Sequence, residues 1–293
     1  MNRVREIAEE IRTMKVQGAI QIAMRAEEGL KHVVENSKAE TKEEFLKELT
    51  DAAKLFKNTR PTAVALPNAV DILIDSVTKI QGDLEETKKN ALEVVSAMIK
   101  NGQESLEKIG KIGAELIEDG STILEHCHSS TVVSILKEAH KQGKKFNVIC
   151  TETRPWHQGY ISAKELSEAG IPTSLIVDSA AMYFMKDVDM VLVGADTVTK
   201  NGDLVNKIGT SQIALVAKKF DVPFYTATHT IKFDKNREKG EEVPIEERPP
   251  EEIIDPAKLP KVDIKNPIFD VTKPEYITGY ITEKGLMTEW ERK

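Results

Sequence analysis

The alternation of short apolar segments with helical patterns after residue 118 is the feature that most constrains the fold. Continuous apolar strands separated by helices indicate a mainly parallel sheet that is covered on both faces. The sequence therefore predicts an α/β fold for this part of the chain. The predicted strands are 122–125, 146–150, 173–177, 190–193 and 223–227, and the predicted helices are 130–142, 162–169 and 209–220.

The chain before residue 118 has apolar residues at helical spacing throughout. Residues 41–44 have the pattern of a capping box, and 84–116 reads as one long helix or as two joined near Gly110 and Gly113. Pro61 and Pro67 are expected to bracket a rigid loop. The predicted domains are an N-terminal helical domain, 1–118, and a domain of alternating strands and helices, 119–293.

The last sixty residues are less regular. The polar, proline-rich stretch 234–265 reads as a surface excursion, and 267–272 and 276–281 read as return strands. Asp178, directly after a predicted strand, is expected to cap the next helix.

Charge and cysteine content exclude several classes of function. The formal net charge of −7 and the pI of about 5.6 argue against nonspecific binding to nucleic acid or to an acidic membrane surface. The two cysteines, Cys127 and Cys150, have no metal-ligand spacing and fit a reducing compartment, so we expect a cytoplasmic protein without a bound metal. No apolar run approaches a membrane span, residues 1–15 do not resemble a signal peptide, and no Gly-x-Gly-x-x-Gly follows the first strand.

The corner at 125–130 places a thiol, Cys127, between two imidazoles, His126 and His128. Ser129 or Ser130 can begin the next helix, and a helix N-terminus favours anions such as a thiolate. A reactive Cys127 would then have a pKa below its usual value of about 8.5. The alternative is a small, inert cysteine at the end of a strand.

Polar residues that follow parallel strands are expected to meet at one edge of the sheet. A carboxyl at the end of the buried strand 190–193 would be partly desolvated and able to hold a proton, although Asp196 could instead be a turn residue. A thiolate that accepts a proton and an acid that donates one suit hydrogen transfer between adjacent carbons, and acyl transfer is the competing use of the cysteine. The residues expected to converge are Cys127, Glu152, Arg154, Asp196, Thr228 and His229.

Basic residues near these corners suggest an anionic substrate. Arg60, Arg154, Lys207 and Lys232 could be solvated surface charges, but each lies at a corner that could face a ligand. Together with helix N-termini near Ser129 and Gly209, they could hold two phosphates.

The same segments resemble the superfamily of the regulatory subunits of translation initiation factor 2B and its related sugar-phosphate isomerases. Within it, they are most similar to the archaeal ribose 1,5-bisphosphate isomerase family. The segments that carry the resemblance are Gln17-Gly18-Ala19, 59–68, 126–129, 151–155, 194–196, 206–210, 232–233 and 269–272.

The resemblance implies an N-terminal helical domain followed by a Rossmann-like domain, in a homo-oligomer that is a dimer or a hexamer. It implies conversion of α-D-ribose 1,5-bisphosphate, a phosphorylated pentose, to D-ribulose 1,5-bisphosphate. This reaction serves the salvage of AMP and other nucleoside monophosphates and needs no cofactor. Cys127 would be the proton acceptor and Asp196 the proton donor. The candidate substrate-binding residues are Gln17, Gly18, Ala19, Ile20, Arg60, His128, Ser129, Arg154, Asn206, Lys207 and Lys232.

Two alternatives remain within the superfamily. One is a non-catalytic regulatory subunit that binds a nucleotide or a sugar phosphate, and the other is a methylthioribose 1-phosphate isomerase, whose substrate differs at the 5-position. The presence of both Cys127 and Asp196 favours an enzyme.

Overall fold

The computed structural model describes residues 2–13, 15–16, 18–59, 64–288 and 290. The α-helices are α1 (Asn2–Arg12), α2 (Ala19–Asn36), α3 (Lys42–Lys57), α4 (Ala65–Thr78), α5 (Leu84–Glu115), α6 (Ser130–Lys141), α7 (Gly159–Glu168), α8 (Ala181–Phe184) and α9 (Thr210–Lys219). The strands are β1 (Thr122–His126), β2 (Asn147–Thr151), β3 (Thr173–Ile176), β4 (Met190–Val193), β5 (Thr197–Val198), β6 (Leu204–Lys207), β7 (Phe224–Ala227), β8 (Phe269–Thr272), β9 (Gly279–Thr282) and β10 (Gly285–Met287).

The chain divides into two compact units, Met1–Ser105 and Leu106–Lys293. The division falls inside α5, which is one continuous helix through Gly110 and Gly113. The predicted domain boundary at residue 118 follows the end of this helix and stays a prediction.

The first unit is helical, and its apolar core is built from α1 to α4 and the first half of α5. The predicted capping box is present, because the Thr41 hydroxyl accepts the backbone N–H of Glu44 and the Glu44 carboxylate accepts that of Thr41. The prediction that Pro67 closes a loop is wrong, since Pro67 is the third residue of α4. Proline is tolerated in a first helical turn because the N–H groups there have no partner within the helix. Pro61 lies outside the described residues.

The second unit is the predicted α/β fold. Its main sheet has seven strands in the order β10-β9-β7-β4-β1-β2-β3, and every pairing is parallel except that of β10 with β9. Strand β1 lies inside the sheet between β4 and β2. Parallel strands that are buried on both faces need apolar residues throughout, which explains why Met190–Val193 is entirely buried and apolar.

A second, three-stranded antiparallel sheet has the order β5-β6-β8. No local pattern indicated β5 or β6, because β5 has two residues and β6 ends in polar Asn206 and Lys207. The predicted return strand at 267–272 pairs with β6 and does not join the main sheet. The stretch 234–265 contains only short 3-10 helices, in line with a surface excursion.

Within the part of the chain that the structure describes, no helix is long and apolar enough to cross a bilayer.

Glu27 on α2 is a buried acid inside the helical unit. Its side chain is 4% exposed, and no group among the described residues hydrogen-bonds to its Oε2 atom. Burial, and secondarily the charge of Glu28, raises the pKa of Glu27 from 4.5 to about 7. Because the folded protein disfavours the ionised form, Glu27 destabilises the fold as the pH rises from 4.5 towards 7.

We expect Glu27→Gln to stabilise the protein at pH 8 by about 3 kcal/mol, which is the cost that corresponds to the rise of the pKa from 4.5 to about 7. The gain should decrease towards pH 4.5 and vanish well below it, where the carboxyl is protonated in both the folded and the unfolded chain. Urea titrations of wild type and variant at pH 5 and pH 8 would measure this difference. Glu93→Gln, at an exposed position of α5, is the matched control and should show no such pH-dependent gain. A gain that is equal at both pH values would contradict the prediction.

Candidate active site

The ends of β1 and β4 bring Cys127 and Asp196 to the same edge of the main sheet. These strands are parallel neighbours in which His126 pairs with Val193, so the residues that follow both strands emerge side by side. The negative charge of Asp196 is close enough to raise the pKa of the Cys127 thiol. Cys127 and Asp196 therefore lie at one edge of the sheet, and their roles as an acid–base pair stay a prediction.

Cys127 has a backbone conformation that is rare for a residue with a side chain. Its φ is +72°, in the left-handed region, which costs a non-glycine residue on the order of 1 kcal/mol. Its N–H donates to the Thr153 hydroxyl at 2.9 Å, and its carbonyl is 3.5 Å from the Ser162 hydroxyl. The hydrogen bond to Thr153 thus ties the loop after β1 to the segment after β2.

His126 fixes the strand end just before the thiol. Its ring is 1% exposed and lies between the Thr151 hydroxyl, 2.7 Å from Nδ1, and the Ile208 carbonyl, 2.8 Å from Nε2. A carbonyl can only accept, so Nε2 carries the hydrogen and Nδ1 accepts from Thr151. Burial lowers the pKa of His126, which keeps the ring neutral in this structural role.

The expectation of a low thiol pKa is wrong. Burial and, to a smaller extent, the charge of Asp196 raise the pKa of Cys127 to about 12. The positive charge of Lys207 and the backbone N–H of His128 act in the opposite direction but are weaker than burial. The helix N-terminus that follows the loop does not compensate for the loss of water around the thiol.

Two buried lysines supply the positive charge of the site. Lys232 is 5% exposed and donates from Nζ to the Ala195 carbonyl at 2.5 Å, directly before Asp196. Burial lowers the pKa of Lys232, and the charge of Asp196 opposes that effect. Lys207, at the end of β6, is 9% exposed, and its Nζ lies 5.6 Å from the centre of the Phe269 ring. Buried lysines near a carboxylate suit a small anionic ligand that would complete their pairing.

Asn206 and Ser129 are two further candidate substrate contacts, and they differ in the hydrogen bonds that they make within the protein. The Asn206 side chain donates to the Thr210 hydroxyl at 3.0 Å, which fixes the turn between β6 and α9. Ser129 is the N-cap residue of α6; its side chain makes no capping hydrogen bond, and its backbone N–H donates to the Glu125 carboxyl. The first turn of α6 contains no acidic residue, so it keeps the character of an anion site.

The second helix N-terminus that was expected to hold a phosphate is already occupied. The Asp270 carboxylate accepts the backbone N–H groups of Gly209, at 2.8 Å, and of Ser211, at 3.2 Å, and also the Ser211 hydroxyl. Asp270 comes from β8, about sixty residues further along the chain. A side-chain carboxylate therefore fills the position that a phosphate would need at α9.

The described contacts of the Arg154 side chain are with Ile253 and His157 and not with the Cys127 thiol. Its guanidinium is exposed, donates to the Ile253 carbonyl at 3.1 Å and lies 3.3 Å from the His157 ring. Its backbone N–H and that of Thr153 both donate to the Asp178 carboxylate at 2.7 Å. Asp178 therefore holds the loop after β2 rather than capping the helix that follows it.

Glu152, Thr228 and His229 also make local contacts. The Glu152 carboxylate lies 3.8 Å from Nδ1 of His157, and the His229 ring accepts the N–H of Ile231. Thr228 donates its backbone N–H to the Ile281 carbonyl and so belongs to the pairing of β7 with β9.

Three candidate residues of the helical unit lie at the start of α2. Gly18 has a φ of +87° and is the N-cap residue of α2, and Ala19 and Ile20 begin that helix and are each 8% exposed. The φ value is one that glycine adopts without strain. Gln17 and Arg60 lie outside the described residues.

The model of the Initiation factor 2 subunit family matches residues 15–289. The chain belongs to this family. A protein from Pyrococcus furiosus named ribose 1,5-bisphosphate isomerase is 46% identical over 289 residues, which cover 96% of this chain and 89% of that protein.

Two solved structures from Pyrococcus horikoshii extend the similarity to the fold. A 5-methylthioribose 1-phosphate isomerase has a TM-score of 0.83 and 36% identity and covers 99% of this chain and 85% of its own. A translation initiation factor eIF-2B has a TM-score of 0.84 and 30% identity, with 98% of both chains covered. Members of the family thus include proteins named as enzymes and proteins named as translation factors.

Sequence reasoning missed Glu125, Thr153 and Ser162, all of which contact the Cys127 loop or its neighbours. A glutamate inside an otherwise apolar strand, Thr122–His126, was a usable signal for Glu125, because a buried acid needs polar partners. Thr153 and Ser162 had no signal, since their roles depend on which loop and helix pack beside β1.

The raised pKa of Cys127 predicts how the thiol reacts with iodoacetamide. In a Cys150→Ala protein, the alkylation rate should increase about tenfold per pH unit from pH 7 to pH 10, because the thiolate fraction does so below the pKa. The rate is followed by mass spectrometry, with glutathione as a reference thiol. A rate that reaches a plateau below pH 9 would contradict the prediction.

Proposed function

We propose that this protein converts α-D-ribose 1,5-bisphosphate to D-ribulose 1,5-bisphosphate, with Cys127 as proton acceptor and Asp196 as proton donor. The observation that carries the proposal is the placement of both residues at one sheet edge beside two buried lysines, Lys207 and Lys232. The 46% identity to a protein named ribose 1,5-bisphosphate isomerase, over 96% of this chain, supports the same substrate.

The charge of the site matches one phosphorylated end of such a substrate. Lys207 and Lys232 are nearly fully buried, and the N-terminus of α6 lies directly after the thiol loop. A phosphate here would pair with groups that are otherwise desolvated. Since Asp270 fills the N-terminus of α9, the second phosphate needs donors other than that helix.

The proposed reaction balances with one acid and one base. The substrate loses the hydrogen on C2 and gains one on C1, while the hydroxyl proton on O2 is lost and the ring oxygen gains a proton as the ring opens. Cys127 takes the C2 proton as a thiolate, and Asp196 supplies a proton to the sugar. The electron pair left on C2 forms the carbon–carbon double bond of an enol, which collapses to the ketone as C1 is protonated.

The two groups share one proton in the productive state. Thiol with carboxylate and thiolate with carboxylic acid carry the same total charge, but only the second pairing can begin the reaction. The raised pKa of Cys127 favours the first pairing. A substrate phosphate that engages Lys232 would draw positive charge away from Asp196 and so favour the second pairing.

The decisive assay is incubation of the purified protein with ribose 1,5-bisphosphate and detection of ribulose 1,5-bisphosphate by NMR. Cys127→Ser and Asp196→Asn should each lower kcat by about 10²–10⁴-fold, the range for loss of a general acid or base, with a smaller change in KM. Asp187→Asn is the matched control, because Asp187 is exposed and precedes β4 whereas Asp196 follows it. Turnover that survives both site variants would refute the assigned roles.

Solvent deuterium distinguishes proton transfer from a hydride shift. Proton transfer through Cys127 should place deuterium from D₂O on C1 of the product, because a thiol exchanges with solvent during the catalytic cycle. A hydride shift would carry the C2 hydrogen to C1 without exchange. Product without deuterium, formed at the full rate, would rule out Cys127 as the base.

One alternative substrate and one alternative role can be tested alongside this assay. The similarity to a 5-methylthioribose 1-phosphate isomerase makes that compound the first alternative substrate, and a higher kcat/KM for it would replace the proposal. The similarity to translation initiation factor eIF-2B makes a regulatory role the second alternative. Capture of initiation factor 2 together with no turnover of either sugar phosphate would favour it.

We also propose a cytoplasmic homo-oligomer, a dimer or a hexamer. The two free thiols fit a reducing compartment. The edge strand β3 and the adjacent α8 expose Leu175, Val177, Met182 and Tyr183, an apolar surface of the kind that forms interfaces. Light scattering should therefore give a mass of at least two chains, and Tyr183→Glu should lower it. A monomer at micromolar concentration would contradict this assembly.

A further inference from the structure

A buried chain of hydrogen bonds connects Glu125 to His128, the residue after the thiol. Glu125 Oε1 is 2.8 Å from the Ser162 hydroxyl, and the same hydroxyl is 3.0 Å from Nδ1 of His128. Glu125 and Ser162 are 1% and 0% exposed, so water does not interrupt the chain at these two residues. A single hydroxyl therefore joins a carboxyl to a ring nitrogen.

The other contacts of Glu125 are satisfied in either of its protonation states. The Cys150 thiol donates to Oε2 at 3.4 Å, and the backbone N–H of Ser129 also donates to the carboxyl. Both donors can be accepted by a carboxylate or by the carbonyl oxygen of a neutral acid. Only the bond to Ser162 must change direction when the carboxyl gains a proton.

That change of direction sets the tautomer of His128. When Glu125 is ionised, Ser162 donates to the carboxylate, and its oxygen can accept only a hydrogen on Nδ1 of His128. When Glu125 is neutral, its O–H donates to Ser162, and Ser162 donates to Nδ1, which leaves the hydrogen on Nε2. Each state satisfies every group in the chain, so neither leaves an unpaired buried polar atom.

We propose that Glu125 is a positioning residue that selects, through Ser162, which nitrogen of His128 carries the hydrogen. His128 then presents Nε2 as a donor when Glu125 is neutral and as an acceptor when Glu125 is ionised. The consequence of this choice of tautomer for catalysis rests on the proposed function, in which His128 is a candidate contact of the anionic substrate. A donor suits a phosphate oxygen, and an acceptor repels one.

The electrostatics of the surrounding elements agree with a switch in the accessible pH range. Burial raises the pKa of Glu125 to about 8, and the charge of Glu165 on α7 acts in the same direction. Burial lowers the pKa of His128, with Glu165 opposing this and Lys137 on α6 adding to it. His128 is therefore neutral where Glu125 titrates, so the tautomer changes rather than the ring charge. Glu165 and Lys137 pair with each other at 2.6 Å, and Cys150 remains a thiol because burial raises its pKa.

The test is nitrogen NMR of the full-length protein labelled with ¹⁵N-histidine, with the His128 signals assigned by their loss in His128→Gln. The Nε2–H form should dominate near pH 7, and the Nδ1–H form should replace it through pH 8–9. In Glu125→Gln the amide oxygen accepts from the Cys150 thiol and the Ser129 N–H, which turns the amide NH₂ towards Ser162, so the Nε2–H form should persist at every pH. Glu165→Gln is the matched control, since it removes a nearby charge outside the hydrogen-bond chain and should keep the transition.

Ser162→Ala provides a second variant if Glu125→Gln does not fold. It breaks the chain without changing a charge, so the pH-dependent transition should disappear. A wild-type protein with no tautomer change between pH 7 and pH 9, or a transition that survives in both variants, would overturn the proposal. These spectra need no substrate, so they stand or fall independently of the proposed reaction.

Kinetics test the consequence for substrate. The KM of the wild type should rise about tenfold from pH 7 to pH 9 as one charge-assisted hydrogen bond is lost, with a smaller change in kcat. In Glu125→Gln the KM should stay near its value at pH 7. A KM that does not change between pH 7 and pH 9, although the NMR transition is present, would refute the role of His128 in substrate binding. The coupling of Glu125 to His128 would still hold in that case.

Discussion

The geometry of the site depends on the left-handed backbone at Cys127 and on the hydrogen bonds that hold it. Thr153, itself at a φ of +61°, accepts the Cys127 N–H, and Asp178 in turn accepts the Thr153 N–H. The loops after β1 and β2 are therefore braced against each other and against the turn after β3. Strain of about 1–3 kcal/mol at each such residue persists only where the surroundings determine it, as these contacts do.

The sequence was sufficient for the parts of the fold that follow from local pattern. Apolar strands between helices predicted the parallel sheet, and the order of strands placed Cys127 and Asp196 at one edge. It was insufficient where a distant residue decides the outcome. Asp270 caps α9 from a strand about sixty residues away, and no local signal distinguishes a helix N-terminus that is open from one that is already filled.

Glu125 shows the same limit within the site. A glutamate in a buried strand was visible in the sequence, but its partners Ser162, Cys150 and the Ser129 N–H come from three other elements. Only their simultaneous placement shows that the carboxyl is fully bonded, and that Ser162 shares its hydroxyl with His128. A polar residue in an apolar strand thus indicates that partners exist but not which chemistry they support.

The high pKa of Cys127 has a consequence for the proposed reaction that differs from the expectation for a reactive thiolate. A hydrogen on carbon is a weak acid, and the rate of its removal increases with the strength of the base. A thiol with a pKa of about 12 is rarely ionised near neutral pH, but its thiolate is a much stronger base than one stabilised by a helix N-terminus. Burial therefore makes the thiolate costly to form and a strong base once it has formed. The proposed reaction is favourable only if substrate binding moves the proton to Asp196, whose charge acts both on the thiol and on the buried Lys232.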